Sequence, residues 1–242
     1  MSNEFYISTG RIGCVCSING KDVYTLFDAD LKSMEFTHCP IESTYRKKAG
    51  NSSLEKINID YGIGRLTMLF YVGGKSNKDA YINTGKLLAE CENCVITVDG
   101  DEFEYAAIID GTPDVKETGI PFYNEVSITF AYVKRYPLVL LEFNNTAFSF
   151  TNPGLTVSGM RIKVIPSKAY ESLTVAGITV KGLIANQIFI IDGIEGKVEC
   201  LGVNRFIDTN LIEFPKAMPG VNEITVSENV SVVIEYYPTF NI

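Results

Sequence analysis

Short apolar stretches alternate with polar residues along almost all of the 242-residue chain, the period expected of strands with one buried face. Ile57-x-Ile59-x-Tyr61 alternates cleanly, and Leu66 to Val72 is a buried-looking run closed by Gly73-Gly74. Earlier, Ile12 to Ser17 leads through Ile18-Asn19-Gly20-Lys21 into Asp22-Val23-Tyr24. Asn-Gly suits a two-residue turn whose central residues both need positive φ, so a hairpin is predicted. One segment has a different period. Ser76 is a candidate N-cap with Asp79 three residues on, and Ala80, Tyr81, Leu87, Leu88 and Cys91 fall near one helical stripe. This predicts a single helix that faces a sheet and ends at Glu92-Asn93. A second hairpin follows, from Val95 to Val98 through Asp99-Gly100 to Phe103–Ile109. After the break at Asp110-Gly111-Thr112-Pro113, a strand from Phe122 to Val133 completes the first unit.

Arg135-Tyr136-Pro137 marks the expected boundary, because proline removes a ladder donor and the pattern restarts beyond it. Two domains are expected, residues 1–137 and 138–242. The second reads as strand after strand: Leu138–Phe143, Ala147–Phe150, Met160–Ile165, Ser172–Val175, Ile178–Val180, Gln187–Ile191 and Lys197–Leu201. Glu223–Val226 and Ser231–Tyr237 follow, and they are expected to pair as a last hairpin across Ser227-Glu228-Asn229. Short strands separated by Asn, Gly, Pro and Asp indicate a sandwich. The fold class is therefore mainly β with one helix.

Composition narrows the function. With 46% hydrophobic and 21% charged residues, the chain is that of a packed globular protein. No apolar run approaches the roughly 20 residues of a membrane span. Met1-Ser2-Asn3-Glu4 lacks the basic and apolar regions of a signal peptide, so synthesis and folding in the cytoplasm are expected. Net charge is -8. Residues 1–137 hold 14 Lys and Arg against 19 Asp and Glu, giving -5, and the remainder 7 against 10, giving -3. An acidic surface repels phosphate backbones and argues against nucleic-acid binding. Arg46-Lys47-Lys48 is the exception, read as a solvated loop or a contact with an acidic partner.

Candidate chemistry is sparse. His38 is the only histidine, which excludes two-histidine metal motifs, and there is no P-loop or G-x-S-x-G elbow. His38 beside Cys39 would point to the opposite strand face, so a Cys-His pair is not expected there. Cys91-x-x-Cys94 with Cys14-x-Cys16 would supply four thiolates to zinc. The alternative is that all six cysteines, including Cys39 and Cys200, are buried free thiols, and this is the expectation, with no metal or other cofactor. Asp99, Asp101, Glu102 and Glu104 surround a hairpin turn. Alternating acids beside Phe103 and Tyr105 suit the wet face of a strand better than a paired-carboxylate glycosidase. No nucleophile, base and orienter can be named together, so no enzyme is expected. Carbohydrate binding on the sandwich is the competing reading; the chain has no Trp but has 13 Tyr.

The C-terminal stretch carries a resemblance. Ile190-Ile191-Asp192, Gly196-Lys197-Val198, Phe214-Pro215, Pro219-Gly220-Val221-Asn222-Glu223-Ile224 and Val232-Val233-Ile234-Glu235-Tyr236-Tyr237-Pro238 occur in that order. This resembles the closing half of phage distal tail (Dit) proteins, and Asn222 is placed to bond local backbone before the last strands. Asn19-Gly20-Lys21-Asp22, Arg65-Leu66-x-x-Leu69-Phe70 and Ile128-Thr129-Phe130 extend the likeness to the N-terminal half. The segment from Pro40 to Ser53 departs from it, with Tyr45-Arg46-Lys47-Lys48-Ala49-Gly50 where many relatives are rich in Gly and Arg.

The resemblance implies a β-barrel or sandwich-like N-terminal domain that closes a homohexameric ring, and a galectin-like C-terminal β-sandwich. It implies a structural protein of the virion tail tip, assembled in the bacterial host's cytoplasm and encoded by a phage or prophage. Implied partners are other copies of the chain, the tail tube protein, the hub or lysin protein and a receptor-binding protein. No membrane and no sequence-specific nucleic acid is implied. DNA must slide through such a ring, so Asp99, Asp101, Glu102 and Glu104 are expected to help line the channel, with Arg46, Lys47 and Lys48 facing a neighbouring protein.

Overall fold

The computed structural model describes residues 15–37, 41–47, 54–61 and 63–240. They divide into two compact units, the first ending at Lys134 and the second running from Arg135 to Phe240.

The first unit comprises β1 (Cys16–Ile18), β2 (Lys21–Asp22), α1 (Val23–Phe27), β3 (Ala29–Thr37), β4 (Ile41–Lys47), β5 (Leu54–Tyr61) and β6 (Gly64–Gly73). It continues with α2 (Asn77–Cys91), β7 (Asn93–Val98), β8 (Glu104–Ile109), β9 (Asp114–Glu117) and β10 (Tyr123–Arg135). Its main sheet has the order β2-β1-β7-β8-β10-β6-β3, with β9 also paired to β10. β10 and β6 align Phe70 with Val126, Met68 with Ile128 and Leu66 with Phe130, all of them buried. These cross-strand pairs form the centre of the core.

Asn19 and Gly20 take φ of 53° and 73°, the turn predicted from their sequence. The second strand of that hairpin is shorter than expected, because Asp22 starts a helical turn instead. Its carboxylate accepts from Tyr24 N–H at 2.9 Å and from the Thr25 hydroxyl at 2.9 Å, a side-chain cap that offers the backbone an alternative to the ladder. In α2 the Ser76 hydroxyl accepts from Asp79 N–H at 3.1 Å, as the cap signal predicts. The buried stripe is Ala80, Thr84, Leu87 and Cys91. Tyr81, expected on that stripe, is half exposed and donates its hydroxyl to Glu117 at 2.6 Å. Gly74 makes the strand-to-helix corner: a Cβ there would lie 2.4 Å from Ala80 N.

The second unit comprises β11 (Val139–Phe143), β12 (Ala147–Asn152), β13 (Ser158–Ile165), β14 (Tyr170–Val175), β15 (Ile178–Leu183) and β16 (Phe189–Asp192). β17 (Lys197–Cys200), β18 (Val203–Asn204), a 3-10 turn at Phe206–Asp208, β19 (Lys216–Ala217), β20 (Gly220–Thr225) and β21 (Ser231–Tyr236) follow. One sheet runs β11-β21-β13-β16-β17-β18, with β19 on β13. Facing it, β12 pairs β20 and β14 pairs β15. Ile162, Ile234 and Ile191 of the first sheet share a core with Phe150, Leu173 and Ile224 of the second, which makes the unit a β-sandwich.

The expected last hairpin does not form. β20 pairs β12, whereas β21 pairs β11 and β13. Ser227-Glu228-Asn229 is therefore a crossing between sheets. Alternation shows which face of a strand is buried and leaves its partner open.

Candidate functional site

The C-terminal signature is a structural brace. Asp192 at the end of β16 is fully buried. One oxygen accepts from Ile194 and Glu195 N–H at 2.9 and 3.0 Å, closing the turn into β17. The other accepts from Arg161 Nε at 2.7 Å. Arg161 lies in register between Asp192 and Glu235 on the neighbouring strands, and its Nη1 donates to Glu235 at 3.0 Å. Lys163 gives Glu235 a second cation. Two buried carboxylates are thus matched by two cations, with Glu195 closing on Arg161 from solvent at 3.3 Å. Gly193 is required by a neighbour, since a Cβ there would sit 2.3 Å from Pro215 O. That carbonyl also accepts from Met160 N–H at 2.9 Å. Asn222 accepts from Met218 N–H at 2.8 Å and donates to the carbonyls of Met218 and Gly220 at 2.7 and 2.9 Å. The motif residues Asp192, Pro215 and Asn222 therefore hold backbone, and Asp192 and Glu235 are joined through Arg161.

The four candidate acids cluster at the β7–β8 turn, but they are not equivalent. Asp99, Asp101 and Glu102 are exposed and Glu104 is half-buried. The Asp101 carboxylate accepts from Phe103 N–H at 3.0 Å and from the Tyr105 hydroxyl. Burial first, and then this bond, pushes the Tyr105 phenol well above its ordinary value. Tyr105 packs at a tilt against Phe36 and edge-to-face with Tyr132, at ring separations of 5.2 and 5.8 Å. Asp101 thus anchors the turn to an aromatic cluster, leaving Asp99 and Glu102 at its tip. Lys134 also reaches this rim, 3.9 Å over the Phe103 ring.

The basic candidates lie on another hairpin. Arg46 and Lys47 end β4, in register with Glu55 and Leu54 of β5, so these two positions are strand and not loop. Lys48, His38, Cys39 and Cys14 lie outside the described residues. Cys16, Cys91, Cys94 and Cys200 are buried free thiols. Burial, then the neighbouring thiols of Cys94 and Cys16, pushes Cys91 well up, and burial pushes Cys94 up to about 11, so neither is a ready nucleophile. Among the described residues no group of three or more His, Cys, Asp or Glu is placed to hold a metal ion. The C-terminal motif includes Asp192 and Glu235 but not the cations Arg161 and Lys163 that hold them. The signal for those cations is a pair of acids inside apolar strands, which needs buried positive charge nearby.

No family model matches the chain, and no curated protein matches its sequence. Solved structures do match. The Dit protein of phage SPP1, described as a paradigm of the hub adsorption apparatus of phages infecting Gram-positive bacteria, aligns with a TM-score of 0.68 at 15% identity. The alignment covers 92% of this chain and 98% of that one. A chain of the phage p2 baseplate in its activated conformation with Sr aligns with a TM-score of 0.59 at 9% identity, covering 93% and 97%. A phage P2 baseplate chain in the Ca form gives 0.51 at 10%, covering 84% and 90%. The chain has the mainly β fold of phage distal tail proteins.

Proposed function

We propose that the protein is a structural component of a phage or prophage tail tip, closing a homohexameric ring between the tail tube and the hub and host-recognition proteins. The observation that carries this reading is agreement of fold with a distal tail protein along nearly the whole of both chains. The C-terminal signature supports it in a particular way. Asp192, Asn222 and Glu235 of that signature brace the sandwich, as expected of residues that serve the architecture. In this reading the protein is a scaffold of the virion with no substrate. Asp99 and Glu102 are the acids free to face the bore, while Asp101 holds their turn in place. Arg46 and Lys47 present a basic strand end to a neighbouring protein. A sugar-binding role has less support: Phe206 is the only exposed aromatic residue among the described residues of the second unit.

Electron microscopy of the purified chain, alone and co-expressed with the tail tube protein of the same phage, tests the proposal. Closed six-membered rings stacked on the tube are expected. A strict monomer at high concentration that never co-purifies with the tube protein would refute it.

A further inference from the structure

The second unit has an unfinished sheet edge beside a groove. On one side of β20, Val226 N–H donates to Thr146 O at 2.8 Å; on the other, Ala176 N–H donates to Thr225 O at 2.9 Å. An antiparallel strand points the backbone groups of successive residues to opposite sides. The even-numbered residues of β20 therefore face β12, and the odd-numbered ones face away. Thr225 meets Ala176 there, but the chain then reverses at Ala176-Gly177, where φ is 49° and 76°. Along Val221 and Glu223 no strand of the described residues pairs on that side. An unpaired edge of this kind is a template for another chain.

Beside the edge lies a groove of about 580 Å³ with Met160, Ile178, Phe214, Met218 and Ile224 among its lining residues. Its charged residues are Glu213, Lys216 and Glu223. Lys216 is already paired with Glu213. Glu223 is exposed and has no cation partner among the described residues, so the mouth of the groove carries one uncompensated negative charge.

We propose that this edge and groove dock an extended peptide segment of a partner protein, in which basic and apolar residues alternate. The segment adds a short strand to β20 through the backbone groups of Val221 and Glu223. Alternate side chains of a strand point to opposite faces, so an apolar residue settles on Phe214 and Met218, the accessible apolar lining of the groove, while Lys or Arg meets Glu223. Strand addition of this type draws affinity from backbone bonds and selectivity from alternate side chains. Met218, half exposed, suits an adaptable apolar contact. A sugar is a poorer fit, because Phe214 is the one aromatic ring lining the groove. The inference goes beyond the ring proposal and does not depend on it.

The test uses the full chain and two labelled pentapeptides, acetyl-Val-Lys-Val-Lys-Val-amide and acetyl-Val-Glu-Val-Glu-Val-amide, followed by fluorescence anisotropy and hydrogen exchange. The Lys peptide is expected to bind at least fivefold more tightly and to slow exchange at residues 220–225. Glu223→Lys, at an exposed position, should reverse the preference without changing the circular dichroism spectrum. A Val-Pro-Val-Pro-Val peptide, which lacks donors at its prolines, should bind neither form. Equal binding of the Lys and Glu peptides, protection outside 220–225, or an unchanged preference in Glu223→Lys would overturn the proposal. Protection of 220–225 by lactose, or by raising the protein concentration alone, would overturn it too, assigning the edge to a sugar or to a second copy. Ring closure is read separately by microscopy, so either proposal can fail while the other stands.

Discussion

Asp192 and Glu235 are 0% and 4% exposed and sit under Arg161 and Lys163 in the middle of a sheet, whereas Asp99 and Glu102 stand in solvent at the tip of the β7–β8 turn. The same chemical group has different roles in the two units. Buried carboxylates must be matched by cations and hydrogen bonds, or the fold carries a large desolvation penalty. Exposed ones cost nearly nothing and are free for a partner or a field. Asp192 and Glu235, the two acids of the C-terminal signature in the β21-β13-β16 sheet, are of the first kind. The acids proposed to meet other molecules, Asp99, Glu102 and Glu223, are of the second kind.

The largest effect that sharpens this contrast is expected from Arg161→Met. It leaves Asp192 without a cation and Glu235 with Lys163 alone, and breaking a buried pair costs about 3–5 kcal/mol. Urea unfolding should show a loss of about 3 kcal/mol or more; a loss below about 1 kcal/mol, the range of exposed pairs, would mean that the network is solvated.

A smaller effect is expected from pH. Burial alone would raise the Glu235 carboxyl, but the hydrogen bonds from Lys163 and Arg161, with their charges, outweigh it and hold the carboxyl below the usual range. The unfolded chain, with an ordinary value of about 4.3, then binds this proton more readily than the folded one, so stability falls as the pH drops through both values. The urea midpoint should be flat from about pH 7 to 5 and decline below about 4. Glu235→Gln should start lower and decline less steeply. Parallel slopes in the two proteins would remove Glu235 as the cause.

The smallest effects separate the acids of the β7–β8 turn. Asp101→Ala removes the acceptor for Tyr105 and Phe103 and should cost about 1 kcal/mol. Asp99→Asn and Glu102→Gln should stay within about 0.5 kcal/mol. Thermal melting of the three variants checks this, and equal losses would show that the turn acids share one structural role.

Near-neighbour chemistry is enough to place several elements from the residues alone. Ser76 caps α2 because its hydroxyl reaches an N–H three residues away, and Asn19-Gly20 turns because both residues tolerate positive φ. Leu66 to Val72 is a strand because a run of that length and composition is stable only when buried. Asp22 departs from the expected hairpin because its side chain diverts the backbone into α1, a competition that hydrophobic period does not register. Tyr81 leaves the expected stripe of α2 because Thr84, polar in sequence, fills the buried face with its hydroxyl bonded to Ala80 O at 2.8 Å.

By itself the sequence determined the predominance of strands, the long helix, the principal turns and the family likeness, because these depend on periods and contacts spanning a few residues. Only the tertiary structure decided that β20 lies against β12 and β21 between β11 and β13, that Arg161 stands between two acids 31 and 74 residues away, and that Val221 and Glu223 face an open edge. A strand's alternation says which side is wet, but its ladder partner is chosen by the packing of the whole sheet, and no local pattern encodes that choice.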